Sequence, residues 1–377
     1  MKIAVLSRKS ISDVSQWSGS IHFLCKALSS EHEIIPVVVP ELHKKIIQKI
    51  VYYLSLKRIK RSNIYLFIDK LLIKNKLAKI EYDYIFAPAA SDLVASGGIP
   101  SSDKIIYLSD ATYHLMVDYY FFNESKYDIN NGNYLECKCL NRSNYIIECS
   151  EWAAKDVKEF YRVNSDKITV LPLFSYMSDE YVPVPYEKML DKTKHNIQLL
   201  LVGVDWYRKG IDIAIDTVNY LNNSNSNIKY VLNIVGVDCR SVNLPNYIRV
   251  WGRLNKDIPK QKQQLIELYN TSDIFILPTR AECAGIVFSE SSMFGLPVVT
   301  FDTGGIASYV RNNYNGFRLN VNASYKEFAE KIKFLSKPNE LYKFSMNARH
   351  MYESILNQTT WLNNFNSFIQ KKIQVLI

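Results

Sequence analysis

The 377-residue chain has no apolar stretch near the roughly 20 residues that a membrane-spanning helix requires. Its first apolar run, Ile3–Leu6, is short and passes straight into polar residues, so neither a secretory leader nor a membrane anchor is expected. The six cysteines, Cys25, Cys137, Cys139, Cys149, Cys239 and Cys283, form no CxxC pair and no zinc-type spacing. They read as reduced thiols in a cytoplasm-like compartment. The 13 glycines make neither a GxGxxG fingerprint nor a P-loop, which argues against a nicotinamide dehydrogenase and a P-loop kinase. No two aspartates stand at D-x-D spacing, so that carboxylate pair for holding a divalent metal on a diphosphate is missing. There is no internal repeat and no low-complexity tract.

What is present is the composition of a folded protein: 47% hydrophobic and 22% charged residues, in a chain long enough for two domains. The net charge of +9 is concentrated. Residues 41–80 carry 11 Lys/Arg against 2 Asp/Glu, and the rest of the chain balances. Lys44, Lys45, Lys49, Lys57, Arg58, Lys60 and Arg61 are interleaved with Ile47, Ile50, Val51, Tyr53 and Leu54. This pattern suits a basic amphipathic helix facing anionic lipid, and equally a solvated surface helix. No nucleic-acid-binding signature accompanies the charge.

Short β-branched runs alternate with helical periodicity. Strands are expected at Lys2–Leu6, Ile34–Val39, Tyr84–Ala87, Lys104–Leu108, Tyr145–Glu148 and Ile168–Leu171. A polar stretch with Pro183 and Pro185 interrupts the pattern and reads as a linker. The alternation restarts with Gln198–Gly203, Tyr230–Gly236, Ile248–Trp251, Asp273–Leu277 and Pro297–Phe301. The fold class expected is therefore α/β: two Rossmann-like, doubly wound domains facing a cleft, with ligands beyond the C-terminal strand ends. The expected layout is an N-terminal domain at 1–178, a linker at 179–196 and a second domain at 197–356. A final helix at 357–377, with Trp361, Leu362, Phe365, Phe368 and Ile369 at helical spacing, packs back towards the first domain.

The most informative stretch runs from Pro278 to Pro297, directly after the strand Asp273–Leu277. Gly285 precedes an apolar helical run, and a glycine at a helix start lets an anion approach bare amides at the positive end of the dipole. Glu282 and Glu290 flank that start. Carboxylates beside an anion site serve best as acceptors for sugar hydroxyls, so the arrangement suits a sugar–diphosphate–ribose ligand.

The spacing Glu282-x7-Glu290 resembles the E-x7-E motif of glycosyltransferase family 4, retaining enzymes of GT-B fold. Thr303-Gly304-Gly305 resembles that family's second glycine loop, and Asn315-Gly316 its downstream turn. Val202 to Gly210, with Arg208-Lys209-Gly210, resembles the basic loop that opens the C-terminal domain. Trp17-Ser18-Gly19 resembles the N-terminal loop that meets donor phosphates. The likeness is strong over 197–320 and thinner over 1–178.

The resemblance implies roles by position. Glu290 would bind the ribose and Glu282 the donor sugar. The amides of Ala284, Gly285 and Ile286, with Gly19, would cradle the diphosphate. Lys209 and Arg208 would neutralise the leaving group, and the backbone near Arg253 and Leu254 would hold the base. The chain departs from the family at Val204, where an arginine is usual and Arg208 is the candidate substitute. It departs again at Asp110, where many relatives carry a histidine, with His114 four residues on as the other candidate.

The function implied is a metal-independent, retaining hexosyltransferase with no cofactor beyond its nucleotide-sugar co-substrate. It would serve a glycan or polyprenyl-linked acceptor in bacterial surface polysaccharide synthesis. A cytoplasmic location is expected, peripheral at the inner face of the membrane through residues 41–80. A nucleotide-sugar epimerase, a phosphorylase or a non-catalytic nucleotide-sugar-binding subunit of the same shape are the alternatives. Taken singly, each motif has a plainer reading. The two glutamates fit helix charges, Arg208-Lys209 a surface turn, Gly304-Gly305 a tight turn and Asp110 a helix N-cap. Trp206 and Trp251 fit core positions, and His22 and His114 fit helical packing.

Overall fold

The structure is a computed structural model that describes residues 1–177, 196–224, 228–238 and 244–374. The expected linker, with Pro183 and Pro185, and also Cys239, lie outside the described residues, apart from Asn196, which opens a strand. The chain divides into two compact units. One is Met1–Leu171 with Leu362–Ile377, and the other is Pro172–Trp361.

The first unit contains strands β1 (Lys2–Ser7), β2 (Glu33–Val38), β3 (Tyr84–Pro88), β4 (Ile105–Ser109), β5 (Tyr145–Glu148) and β6 (Ile168–Val170). Its helices are α1 (Ser20–Leu28), α2 (Leu42–Leu54), α3 (Leu66–Leu77), α4 (Ser91–Ala95), α5 (Tyr113–Met116), α6 (Lys126–Arg142) and α7 (Glu151–Glu159). The strands form one sheet in the order β2-β1-β3-β4-β5-β6, with every pair parallel. Strands β3, β4 and β5 are buried at every residue, as a sheet covered on both faces demands. Side-chain caps begin the helices: Ser125 accepts from the Asp128 amide at α6 and Ser150 from the Ala153 amide at α7.

The second unit contains β7 (Asn196–Val202), α8 (Ile211–Asn223), β8 (Lys229–Val235), β9 (Ile248–Val250), α9 (Pro259–Thr271), β10 (Ile274–Leu277), α10 (Ile286–Met293), β11 (Val298–Phe301), β12 (Gly316–Leu319), α11 (Tyr325–Leu335) and α12 (Pro338–Ser354). A last helix, α13 (Gln358–Gln374), starts in this unit and continues into the first. There Phe365 meets Phe86 edge-on at 6.0 Å and Phe368 meets Tyr145 at 5.7 Å. The second sheet runs β9-β8-β7-β10-β11-β12, also fully parallel. This is the Rossmann order 3-2-1-4-5-6, whose direction of winding reverses between β7 and β10.

Strand β12 is the one that the sequence reading missed. Its four residues begin at Gly316, inside the Asn315-Gly316 turn, too short a run to show a period. Asn315 is buried and fixes that turn, accepting from the Arg311 amide at 2.6 Å and donating to the Tyr309 carbonyl at 3.0 Å.

The basic segment divides in two. Helix α2 buries no residue, and Leu54 and Leu56 are each 79% exposed. Several cations of the basic segment, however, are already paired. Lys44 pairs with Asp92, Lys45 with Glu41, and Lys60 and Arg61 with Glu124. Among the described residues only Lys49, Lys57 and Arg58 of the seven cations named above have no ion pair. No helix among the described residues is long and apolar enough to cross a membrane.

Candidate functional site

In an open parallel sheet, ligands bind beyond the carboxyl ends of the strands where the winding reverses. In the second unit this position lies between β7 and β10, and the two loops that leave those strands are Gly203–Gly210 and Pro278–Gly285. They are the two loops that the sequence motifs single out, and they are joined closely. The Arg208 carbonyl accepts from the Arg280 amide at 2.7 Å and from Thr279 Oγ1 at 3.1 Å, while Arg208 Nη1 donates to the Ala281 carbonyl at 3.2 Å. Arg280 forks onto Asp212 at 3.0 and 2.7 Å and lies 4.1 Å over the Tyr207 ring.

This junction brings the Lys209 ammonium onto the Glu282 carboxylate, 73 residues away in sequence. Both residues are only 8% exposed. The Thr303–Gly305 loop joins the same point, because the Gly305 amide donates to the Glu282 carbonyl at 3.0 Å. Gly210 makes the junction possible. Its φ is +65°, and a Cβ there would sit 2.0 Å from the Pro278 carbonyl oxygen. Gly285 is needed for a different reason. Its φ is ordinary, but a Cβ would fall 2.2 Å from the Phe288 ring. Ala284 and Ile286 are half-buried beside it at the start of α10, and the Ile286 amide turns back to the Ala284 carbonyl at 3.2 Å.

Glu290, one turn into α10, is fully buried. Lys256 holds one carboxylate oxygen and the Tyr269 hydroxyl donates to the other at 3.1 Å. Burial and the neighbouring Glu290 charge push the Tyr269 phenol well above its usual value. Neither partner was found by sequence reasoning. Lys256 lies in the loop after β9 that also carries Arg253 and Leu254, and a cation following Trp251-Gly252-Arg253-Leu254 was the available signal. Arg253 is exposed, and Leu254, Trp206 and Trp251 pack on the core of this unit.

In the first unit, the Trp17–Gly19 loop after β1 has left-handed backbone at three successive residues, with φ of 44°, 56° and 86°. Tryptophan and serine adopt that conformation at a cost, and such strain concentrates at functional sites. The Trp17 indole donates to Asp110 Oδ2 at 3.1 Å, so the glycine loop and Asp110 come together. Asp110 is not a helix N-cap: Thr112 caps α5, accepting from the Leu115 amide. His114 is held elsewhere, with Nδ1 2.8 Å from Asp156 and its ring stacked 3.7 Å from Phe160.

Beneath Asp110 lies a carboxyl group that the sequence did not mark. Glu148, at the carboxyl end of β5, is fully buried, and among the described residues neither of its oxygens has a hydrogen-bond partner. Burial, and then the charges of Glu136, Asp110 and Asp156, push it well above the usual carboxyl range. The folded chain therefore holds a proton there that the unfolded chain releases above about pH 4.5. Stability should fall as pH rises past that value, and Glu148→Gln should remove part of the fall. Melting temperatures at pH 5 and pH 8 check this. The variant should gain a few degrees on the wild type between the two, at about 2–4 °C per kcal/mol. Parallel pH profiles would contradict the assignment.

The second unit is also the part of the chain that is similar to a known family. Residues 186–351 match the family model for glycosyl transferases group 1. The lipopolysaccharide glucosyltransferase WaaG of Escherichia coli K12 is 26% identical over 216 residues, 55% of this chain and 58% of that protein. The capsular polysaccharide biosynthesis glycosyltransferase CapM of Staphylococcus aureus is 26% identical over 241 residues, 60% of this chain and 62% of that protein. The matches thus span less than two thirds of either relative. The crystal structure of Anabaena HepE with UDP and glucose superposes with a TM-score of 0.66 at 15% identity, covering 98% of this chain and all of that one. Two parallel six-stranded sheets with that likeness make the fold α/β GT-B.

Proposed function

We propose that this chain is a retaining glycosyltransferase that moves a hexosyl group from a nucleotide-diphosphate sugar to a glycan or lipid-linked glycan acceptor in bacterial surface polysaccharide synthesis. The observation that carries the reading is the Lys209–Glu282 pair where the two loops meet. Each member has what one part of such a donor needs. The ammonium suits the diphosphate, and the carboxylate suits the sugar hydroxyls. Bound donor would separate the pair and supply a new partner to each, so neither charge would be left buried alone. Lys256 and Tyr269 would hold Glu290 in the same way until ribose hydroxyls replace the lysine.

As the glycosidic bond to the diphosphate breaks, negative charge grows on the leaving oxygen. Lys209, Arg208 and the start of α10 at Ala284, Gly285 and Ile286 would stabilise it, without metal. In the first unit, where the Trp17 indole holds Asp110 beside the glycine loop, Gly19 would suit a phosphate and Asp110 sugar hydroxyls, as the family resemblance implies. Retention follows if the acceptor attacks from the face that the nucleotide leaves, with a donor phosphate oxygen taking its proton, so no protein nucleophile is required. The exposed apolar residues of α2, with Lys49, Lys57 and Arg58, would rest on the anionic inner membrane surface.

The test is donor turnover with the full chain, supplied with UDP-, GDP- and ADP-sugars and membrane-extracted acceptors. The reading expects α-linked product from one donor, unchanged by EDTA, and sedimentation with phosphatidylglycerol vesicles. Turnover of the donor without acceptor, or turnover abolished by EDTA, would contradict it. Equal recovery with neutral vesicles would remove the membrane surface from it.

A further inference from the structure

The first sheet has its own reversal of winding, between β1 and β3, and a cavity of about 440 Å³ lies at the carboxyl ends of those strands. Arg8 follows β1 there, Ala89 follows β3, and Lys44, Lys60 and Arg61 converge from the basic segment. We propose that this cavity is an anion site that receives a phosphate or diphosphate group of the acceptor. The proposal rests on the glycosyltransferase reading for the word acceptor, but not for the anion.

The cations are held in position rather than merely exposed. Asp69 takes the Arg8 fork at 2.8 and 2.7 Å, and Asp92 binds both Arg8 at 2.7 Å and Lys44 at 2.6 Å. Burial works to raise the Asp92 carboxyl, but Lys44 and Arg8 outweigh it and hold the group at about 2. The Lys60–Asn63 segment is pinned to α6. Asp128 accepts from the Arg61 amide at 2.7 Å, and Asn63 and Asn131 exchange side-chain hydrogen bonds. These contacts fix the cavity wall before any ligand arrives, which lowers the ordering cost of binding.

Donors remain unused. Arg61 spends only Nε, on Glu124 at 3.2 Å, while its guanidinium lies 4.3 Å over Phe121. Among the described residues its two terminal nitrogens have no partner, and that fork fits phosphate oxygens in pairs. Arg8 Nε is buried and, among the described residues, has no acceptor. Of the three acids on the wall, Asp92 and Glu124 are engaged by these cations. Glu136 is held up to about 7 by burial, against hydrogen bonds from Tyr107 and Ser91. With Asp69 and Asp128 bracing the wall from behind, the four cations and the carboxylates nearly balance, so it is the uncommitted N–H groups of Arg61 and Arg8, rather than net charge, that favour an anion over a neutral sugar.

The experiment is calorimetric titration of pyrophosphate into the full chain saturated with its preferred nucleoside diphosphate. Wild type should bind. Arg61→Gln should weaken binding at least tenfold, and so should Lys60→Gln, which disturbs less packing. Both should keep wild-type nucleotide affinity. Wild-type pyrophosphate affinity in both variants, or no pyrophosphate binding beside the nucleotide, would overturn the site. If no nucleotide binds at all, pyrophosphate is titrated alone, and loss in the two variants but not in Lys209→Gln still supports the anion site while the donor reading fails. A second arm separates the sources of the phosphate. Farnesyl diphosphate binding tenfold tighter than pyrophosphate points to a lipid-linked acceptor, and equal affinity points to a water-soluble phosphosugar.

Discussion

Lys209→Ala should lower kcat about 10- to 150-fold while leaving the affinity for substrate closer to wild type. A hydrogen bond to a charged group contributes about 1.5–3 kcal/mol. In the proposed reaction the contact would strengthen as charge builds on the leaving diphosphate, so its loss should fall mainly on the transition state. The same substitution leaves Glu282, 8% exposed, as a buried charge without its cation. Removing one member of such a pair costs about 3–5 kcal/mol, so the melting temperature should drop as well. The two effects separate in the double variant. Lys209→Ala with Glu282→Gln should recover much of the stability and none of the activity. A Lys209→Ala enzyme with more than half of wild-type kcat would reduce the pair to a structural tie.

Gly210→Ala should be strongly destabilising, because its φ is +65° and it packs against the Pro278 backbone. A left-handed alanine costs about 1–2 kcal/mol. The Cβ would also press to 2.0 Å from the Pro278 carbonyl oxygen, and overpacking of that kind adds about 1–3 kcal/mol. Relief requires the two loops to part, which draws Lys209 away from Glu282. Unfolding in urea should show a loss of about 2–5 kcal/mol, with activity falling at least as far as in Lys209→Ala. Gly252 provides the control. Its φ is +68°, but a Cβ at that position would meet no atom within 4 Å, so Gly252→Ala should cost only the backbone term. Equal losses in the two variants would show that the loop junction is not what Gly210 protects.

The strands were legible almost to the residue because both sheets are parallel and covered on both faces. Such strands appear as short, nearly unbroken β-branched runs, and eleven of the twelve among the described residues were found within one or two residues of their bounds. The motif residues were legible too, but their partnerships were not. Nothing near Lys209 in sequence points to Glu282. Their meeting depends on β7 and β10 being neighbours, which is a property of strand order. For the same reason Lys256 and Tyr269 went unseen beside Glu290, and Asp69 and Asp92 beside Arg8. Glu148 was read as the last residue of a strand, where a carboxylate usually reaches water, and only the packing of α6 and α7 around it shows that it does not. The basic segment illustrates the limit of counting charge. It was read as one amphipathic face, lipid-facing or simply solvated, yet Lys44, Lys60 and Arg61 line a cavity, leaving Lys45, Lys49, Lys57 and Arg58 for the surface.

The proposed nucleotide-sugar donor site rests on Glu290 and the loops at the winding reversal of the second sheet. It is tested most directly by calorimetric titration of UDP, GDP, ADP and CMP into wild type and Glu290→Ala, with and without EDTA. One nucleoside diphosphate should bind the wild type, bind equally in EDTA, and weaken at least tenfold in the variant, at about 1.4 kcal/mol per factor of ten. No binding by any of the four, binding that requires a metal, or binding indifferent to Glu290 would contradict the account.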